Sequence, residues 1–442
     1  MSVTTESQIQ SGFSAGAFQA FLDRRNEPDW LATDRRDHWD RFQQMSWPGR
    51  RDEEWIRTDI RLFKLDRYSF PDQAMGPAPS SGPAPALADG VELGGYVAST
   101  NGTSHSHHLE DRWAEKGVVY GPLDQLVQSH GDLVRKHLFA KAFDPCADRF
   151  AALHAAAWTG GTFLYVPRGV VVDQPLHSMS TMADGNVDLS HTLVVLEDGA
   201  EATLMCESTS VTPTGDGFHC GATEIVLGKG SHLRFVNLQD WSSGVWHFAH
   251  QKAVIDSDSQ LQWTTAALGS RLSKVNQHVA LVGPGANSQV NGVMFTEGKQ
   301  HLSYHTLQHH VAPSCRSDFL YKGALQDKSR TVWRGMIKVD PSAQKTDGYQ
   351  RNDNLLLSHT VRADSIPGLE IEADDVRCTH GSTTGRVNDE MIFYAQCRGF
   401  TRQEAIRLIV SGFFQTIFDR VTIESVRDAL GLAIARRVRE YD

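Results

Sequence analysis

The sequence predicts a mainly β protein: a repetitive strand core with helical segments before and after it. Three observations lead there. Short β-branched runs separated by tight turns recur from Gly161 onward. The turn positions Gly199, Gly230, Asp258 and Gly285 repeat with a period of roughly 27 to 31 residues. Before Thr159 and after Asn388 the apolar spacing is helical instead. Periods of roughly 20–50 residues mark stacked repeats. Each unit has too little apolar surface to form a core alone, and stacking makes one continuous core. A parallel β-helix fits best. A β-sandwich or jelly roll is the alternative, since regular short strands suit it too.

The totals bound the function. The 442 residues carry a formal charge of −10 and a pI near 6.0, which argues against a dedicated nucleic-acid binder. No apolar run approaches the ~18 residues of a membrane span. Met1 to Gln10 is polar and lacks a signal peptide's basic start and apolar core, so a cytoplasmic location is expected. Six cysteines, Cys146, Cys206, Cys220, Cys315, Cys378 and Cys397, are scattered without a C-x-x-C pair. They read as thiols or ligands, not disulfides.

An N-terminal, mostly helical domain is expected over 1–159. Ala15 to Met45 carries Phe18, Phe21 and Leu22, then Trp39, Phe42 and Met45, at helical spacing. Pro48 and Gly49 end it. Trp55 reads as a small-core anchor. Pro71 to Ala86 is rich in Pro, Gly, Ser and Ala and reads as a linker or mobile loop. The run Ser104 to His108 reads as solvated histidines in a polar loop. Asp124 to Ala156 returns to helices through Leu126, Val127, Leu133, Val134, Leu138 and Phe139.

The strand core is expected over 160–387. Within it, G-K-G-S at Gly228 to Ser231 lacks the spacing of a phosphate loop and reads as a turn between strands. No G-x-S-x-G nucleophile elbow is present. His301, His305 and His309 share a face with Ser303 if the segment is extended, and this row reads as structural hydrogen bonding before metal binding. Gln350, Asn352 and Asn354 read the same way.

A helical C-terminal domain follows over 388–442. Asn388 is placed to cap a helix whose first turn holds Asp389 and Glu390. Thr401 and Glu404 form a capping box. Ile406, Ile409, Val410, Phe413 and Ile417 line one face, broadened by Leu408, Phe414 and Phe418. Thr422 is expected to cap a last helix striped by Val426, Leu430, Ile434 and Val438. Such an apolar surface is either a cap for the solenoid end or a docking face.

The chemistry concentrates in E-A-D-D-V-R-C-T-H-G-S-T-T-G, Glu372 to Gly385, which follows Glu370. If Val376 to His380 is extended, Cys378 and His380 project from one face. A thiol and an imidazole make half of a metal site, since a soft metal or iron–sulfur species takes three or four such donors. The other reading is a buried free cysteine beside a hydrogen-bonded histidine.

The chain from Ser329 to Gly412, with T-V-W-R-G-M-I-K-V, Y-Q-R-N-D-N-L-L-L-S, C-T-H-G-S-T-T-G and I-F-Y-A-Q-C-R-G-F in order, closely resembles the SufB/SufD family of iron–sulfur cluster assembly scaffolds. The resemblance is dense from about Gly160 onward. C-T-H-G is similar to the SufD branch; the SufB branch typically has a Glu where this chain has Gly381. Glu54, Trp55 and Thr58 match the Glu-Trp…Thr element near the start of SufD proteins. The resemblance implies a right-handed parallel β-helix and a non-catalytic scaffold. It implies pairing with SufB, and SufC ATPase bound on the C-terminal helices through Ile406, Ile409, Val410, Phe413, Phe414 and Ile417. It further implies a transient iron–sulfur cluster at the SufB interface, with His380 and then Cys378 as this chain's contribution. ATP would enter only through SufC, and a flavin stays open. The alternatives are a SufB-like or homodimeric scaffold, and a carbohydrate-active β-helix enzyme, which the missing export signal disfavours.

Overall fold

The computed structural model describes residues 12–71 and 83–438. The Met1 to Gln10 leader and positions 72–82 of the Pro/Gly-rich stretch lie outside these residues.

Strands from Gly161 onward alternate between two sheets, except that the short Asn186–Asp188 and its successor His191–Leu196 both join the second, and neighbours within each sheet are parallel. The first sheet runs from Leu176–Met182 to Arg377–Arg386, and the second from Gly161–Val166 to Arg362–Ile371. This is a parallel β-helix of about eight coils. Register pairs Gln260 with Asn287, Asn287 with Arg316, Arg316 with Asp347 and Asp347 with Arg377, steps of 27, 29, 31 and 30 residues. The period legible in the turns is therefore the length of a coil.

The turns stack as well. Gly199, Gly230, Asp258 and Gly285 all have left-handed backbones, with φ of 67°, 65°, 56° and 76°. This region favours Gly, and Asp tolerates it. Gly199 N donates to Lys229 O, Gly230 N to Ser257 O and Asp258 N to Pro284 O, at 2.8 to 3.0 Å. Each turn thus hands its amide to the turn of the next coil. Gly228 to Ser231 is one of these turns, as expected, with the Ser231 hydroxyl donating to Gly228 O.

The lumen is packed by rows of inward side chains. Leu204, Phe235, Trp263, Val290 and Phe319 form one such row, all buried. Toward the end of the solenoid it turns polar. Gln350 Nε2 donates to Gly335 O and Gly368 O at 3.4 and 3.0 Å, Asn352 Nδ2 to Tyr321 O at 3.4 Å, and Asn354 Nδ2 to Asn352 Oδ1 at 2.8 Å. Buried amides need such partners.

The N-terminal region wraps the outer face of the second sheet. The expected Ala15 to Met45 helix is two, Ala15–Asp23 and Asp29–Gln44, split before Pro28, whose ring cannot continue a helix. Both pack with helix Arg149–Ala157 through Phe18, Phe21, Trp39, Phe42 and Phe150 onto Phe218 and Phe248; the Phe150 and Phe248 rings stack at 3.8 Å. Trp55 joins this cluster, buried. Ser104 to His108 is a correction: it belongs to strand Thr103–Leu109, antiparallel to Gly95–Thr100, not to a loop, although His105, His107 and His108 are solvated. These strands and Val119–Pro122 lengthen the two sheets and close the N-terminal end of the solenoid.

The C-terminal helices, Asp389–Gln396, Arg402–Phe418 and Glu424–Arg437, do not cap the other end. They lie against the flank of the first sheet, on Val236, Leu238, Ala266, Val293, Phe295, Leu320 and Ala324. Asn388 and the Thr401–Glu404 capping box sit where expected. Thr422 does not cap: Ile423 occupies the N-cap without a side-chain bond, because Val421 is buried and Ile423 packs in the same cluster. All six cysteines are free thiols.

A candidate ligand pair at the open end of the solenoid

The last strand of the first sheet, Arg377–Arg386, carries Cys378 and His380. It pairs in parallel with Asp347–Leu356, matching Cys378 to Gly348 and His380 to Gln350. Gln350 points into the lumen, fully buried. Strands in register carry matched residues on one face, so Cys378 and His380 line the lumen of the final coil. No coil follows. His380 is exposed and Cys378 half-buried, whereas the matching positions one coil earlier are buried. Both terminal strands, Arg377–Arg386 and Arg362–Ile371, also offer an unpaired edge.

The two donors differ electrostatically. Cys378 packs with Val376 at the rim of a cluster made by Ile337, Val339, Ala343 and Ala373. Burial there pushes its thiol above the ordinary value, with Asp347 adding to the effect. It stays protonated at neutral pH. His380 stands in solvent.

Three nearby carboxylates are engaged. Asp347 accepts from Arg377 Nη2 at 2.6 Å, Asp353 pairs with Arg351 at 3.0 Å and with the Thr383 hydroxyl at 2.5 Å, and Glu370 accepts from Lys338 at 2.6 Å. Among the described residues no group of three or more His, Cys, Asp or Glu side chains is arranged to hold a metal. The open end presents one thiol and one imidazole on a shared face.

The histidine row lies elsewhere. His301, His305 and His309 face outward from strand His301–His310 with Ser303, as their spacing implies, and the N-terminal region engages Ser303 and His305. His305 Nδ1 meets Glu54 Oε2 at 2.6 Å, His309 Nε2 meets Asp340 at 2.9 Å, and inward-facing His310 meets Ser317 at 2.8 Å.

The six helix residues assigned to ATPase docking are divided by burial. Ile406, Val410, Phe414 and Ile417 are at 0% exposure against the first sheet, which corrects their assignment to a surface. Ile409 and Phe413 remain partly open, in a groove of about 600 Å³ also lined by Leu355, Met391, Tyr394 and Leu408. Of its lining residues, Met391, Tyr394 and Leu408 are 55%, 60% and 57% exposed, and Phe393, on the same helix as Met391, is 68% exposed. Sequence reasoning missed Met391, Phe393 and Tyr394. The signal was M-I-F-Y within Asp389–Gln396: one helix face buries Ile392 and Ala395 and leaves the rest outside.

Residues 179–413 match the SufBD core domain of the SUF system for iron–sulfur cluster assembly, and residues 90–177 match the SufBD N-terminal region. The chain belongs to the SufBD family. It is 24% identical over 428 residues to an iron–sulfur cluster assembly SufBD family protein of Staphylococcus aureus, covering 94% of this chain and 91% of that one. A SufBD family protein of Mycobacterium leprae, also named for iron–sulfur cluster assembly, is 33% identical over 296 residues, 65% of this chain and 74% of the relative. The SufBD core match spans the open coil and the first C-terminal helix and ends at residue 413, within the second. Among the described residues no helix is long and apolar enough to cross a membrane.

Proposed function

We propose that this SufBD family chain is a SufD-type scaffold subunit, non-catalytic and cytoplasmic. It pairs its open β-helix end with a SufB subunit and carries a SufC ATPase on its C-terminal helices. One observation carries the reading: Cys378 and His380 line a final coil that no further coil covers, beside two unpaired strand edges. A partner strand docking there satisfies the edges and brings the missing donors.

A nascent iron–sulfur cluster is the cargo of such an interface. His380 offers an imidazole nitrogen donor, and Cys378 becomes a thiolate once a cation lowers its proton affinity. Imidazole in place of thiolate is compatible with cluster ligation. ATP acts through the SufC partner, docked over Ile409, Phe413, Met391, Tyr394 and Leu408. Hydrolysis there shifts the pair only if the ATPase binds its two states with different affinity.

The test is co-expression of the chain with SufB and SufC, followed by iron and sulfide analysis of the purified complex. His380→Ala is expected to lower cluster yield while leaving assembly and the unfolding temperature of the subunit unchanged. Unaltered iron would reject His380. Failure to recover SufB, with a self-associated product instead, would favour the homodimeric scaffold.

A further inference from the structure

Residues 46–71 cross the outer face of the second sheet without joining it. They form turns, bends and one short 3-10 turn, Leu65–Arg67. Their backbone bonds, among described residues, close within the segment: Trp55 N to Asp52 O, Thr58 N to Trp55 O, Phe63 N to Ile60 O and Tyr68 N to Leu65 O. Contact with the sheet therefore runs through side chains. Trp55, Phe63 and Tyr68 are buried aromatic anchors. Apart from the Tyr68 hydroxyl, which donates to Asp216 Oδ1 at 3.0 Å, the polar contacts to the sheet cluster between Glu53 and Thr58. Thr58 Oγ1 donates to Ser303 Oγ at 2.8 Å. Glu54 meets His305 Nδ1 at 2.6 Å and accepts from Arg334 Nη1 at 2.8 Å, while Arg334 Nη2 holds Glu53 at 2.7 Å.

Beneath this segment lies Lys274, 2% exposed. Its Nζ donates to Asn276 Oδ1 at 2.8 Å, sits 3.8 Å from Glu54 Oε2 and lies 5.6 Å from the Trp55 ring centre. The charged and titratable groups around it come from every neighbouring element. Glu53 and Glu54 lie on the covering segment, and Asp148 lies at the start of helix Arg149–Ala157, 3.2 Å from His250. His250 and Lys252 are on strand Gly244–Ile255, His278 is on the lysine's own strand, and His305 and Arg334 are on the next two. Three carboxylates thus face two fixed cations, Lys252 and Arg334, three imidazoles and Lys274 itself. A proton taken up by Lys274 or an imidazole here places charge where water is scarce, and that desolvation is the cost. Burial lowers Lys274 to about 7 and His278 to about 3, and lowers His305 as well.

We propose that residues 46–71 are an acid-released strap, latched by Glu54 onto His305 and Arg334 and lifted locally around Glu53–Thr58 when the groups beneath it take up protons. The aromatic anchors hold the rest in place. The sign follows from the lysine. A base whose proton affinity is depressed in the docked state makes docking harder as pH falls from the lysine's ordinary range, near 10.5, toward about 7, with no further change below that. The depressed imidazoles add to the same trend below their ordinary 6.5. Glu54, held at about 2, stays charged throughout and keeps the latch specific. Lifting the latch widens a pocket of about 220 Å³ that Glu53, Glu54 and Arg57 close against Arg334, Met336 and Ile366, the last on the terminal strand of the second sheet. Acid thus reaches the flank of the open end.

Hydrogen exchange of the full chain, read by mass spectrometry over residues 53–58 and corrected for intrinsic rates, tests this. The open population should rise on the order of tenfold between pH 8.5 and pH 6.0. Lys274→Met should remove most of that response. Glu54→Gln should raise opening at both pH values while keeping the response, and thermal melts report whether each variant is folded. Protection that is flat across this range, a Lys274→Met chain with the wild-type response, or a Glu54→Gln chain no more open than wild type would each overturn the proposal.

Discussion

The His177 imidazole and the Glu207 carboxylate meet at 2.9 Å where both side chains are 5% exposed, on adjacent strands of the first sheet. The same carboxylate accepts from Ala86 N and Leu87 N at 2.8 and 2.6 Å. On the second sheet Glu224 repeats the device: it lies 3.2 Å from His191 and accepts from Phe139 N and Phe143 N at 2.8 and 3.0 Å. One buried carboxylate on each sheet therefore clamps N-terminal backbone to the solenoid.

Replacing that clamp should loosen the N-terminal layer. Glu207→Gln exchanges one acceptor oxygen for a donor that faces an amide N–H. The expected loss is about 1–3 kcal/mol of unfolding free energy. Urea denaturation followed by tryptophan fluorescence checks it, and an unchanged midpoint would mean the clamp contributes nothing net.

Core and surface residues of helix Arg402–Phe418 should separate cleanly. Ile406→Ala opens a cavity against the first sheet and should cost about 2–5 kcal/mol. Leu408→Ser, on the exposed face, should change stability by less than about 0.5 kcal/mol. Leu408→Ser and Phe393→Ser should instead reduce recovery of the SufC ATPase in a pull-down. Full recovery with both would move the docking face elsewhere.

Cysteine reactivity should rank by environment. Cys146 and Cys397 are exposed, and Cys378 is half-buried with its thiol pushed upward. Iodoacetamide at pH 8 should label Cys146 and Cys397 before Cys378, which is less accessible and whose thiol is pushed up by burial. Peptide mass spectrometry over a time course reads the order; Cys378 labelled first would contradict its burial.

The isolated chain should hold little iron. Two lumen donors and a set of engaged carboxylates do not complete a coordination sphere. Anaerobic reconstitution followed by iron analysis should find well under one cluster per chain. A stoichiometric cluster on the lone protein would show that the open end is a complete site.

Much of the fold was written locally. The left-handed turn residues marked the coil length because a solenoid must turn at the same place in each coil. Thr401 and Glu404 marked a helix start because a capping box involves only neighbours. The strand Thr103–Leu109 was also signalled, by Asn101-Gly102 at φ 53° and 72°, the two-residue turn that joins it to Gly95–Thr100, but its histidines drew the reading toward a loop. Thr422 failed for a tertiary reason: burial of Val421 and packing of Ile423 set where the last helix begins. In the site, the shared face of Cys378 and His380 followed from strand alternation alone.

By itself, the sequence determined the repeat, the residues that turn it and a thiol–imidazole pair too small to be a site. Tertiary structure alone decided that the C-terminal helices lie on the flank and leave the solenoid end open. It also decided which of Ile406, Ile409, Val410 and Phe413 keep any surface, and that Glu54 lies over Lys274. The physical reason is that spacing along a chain dictates where a side chain points. Burial depends on which distant element arrives to cover it, and no local pattern carries that information.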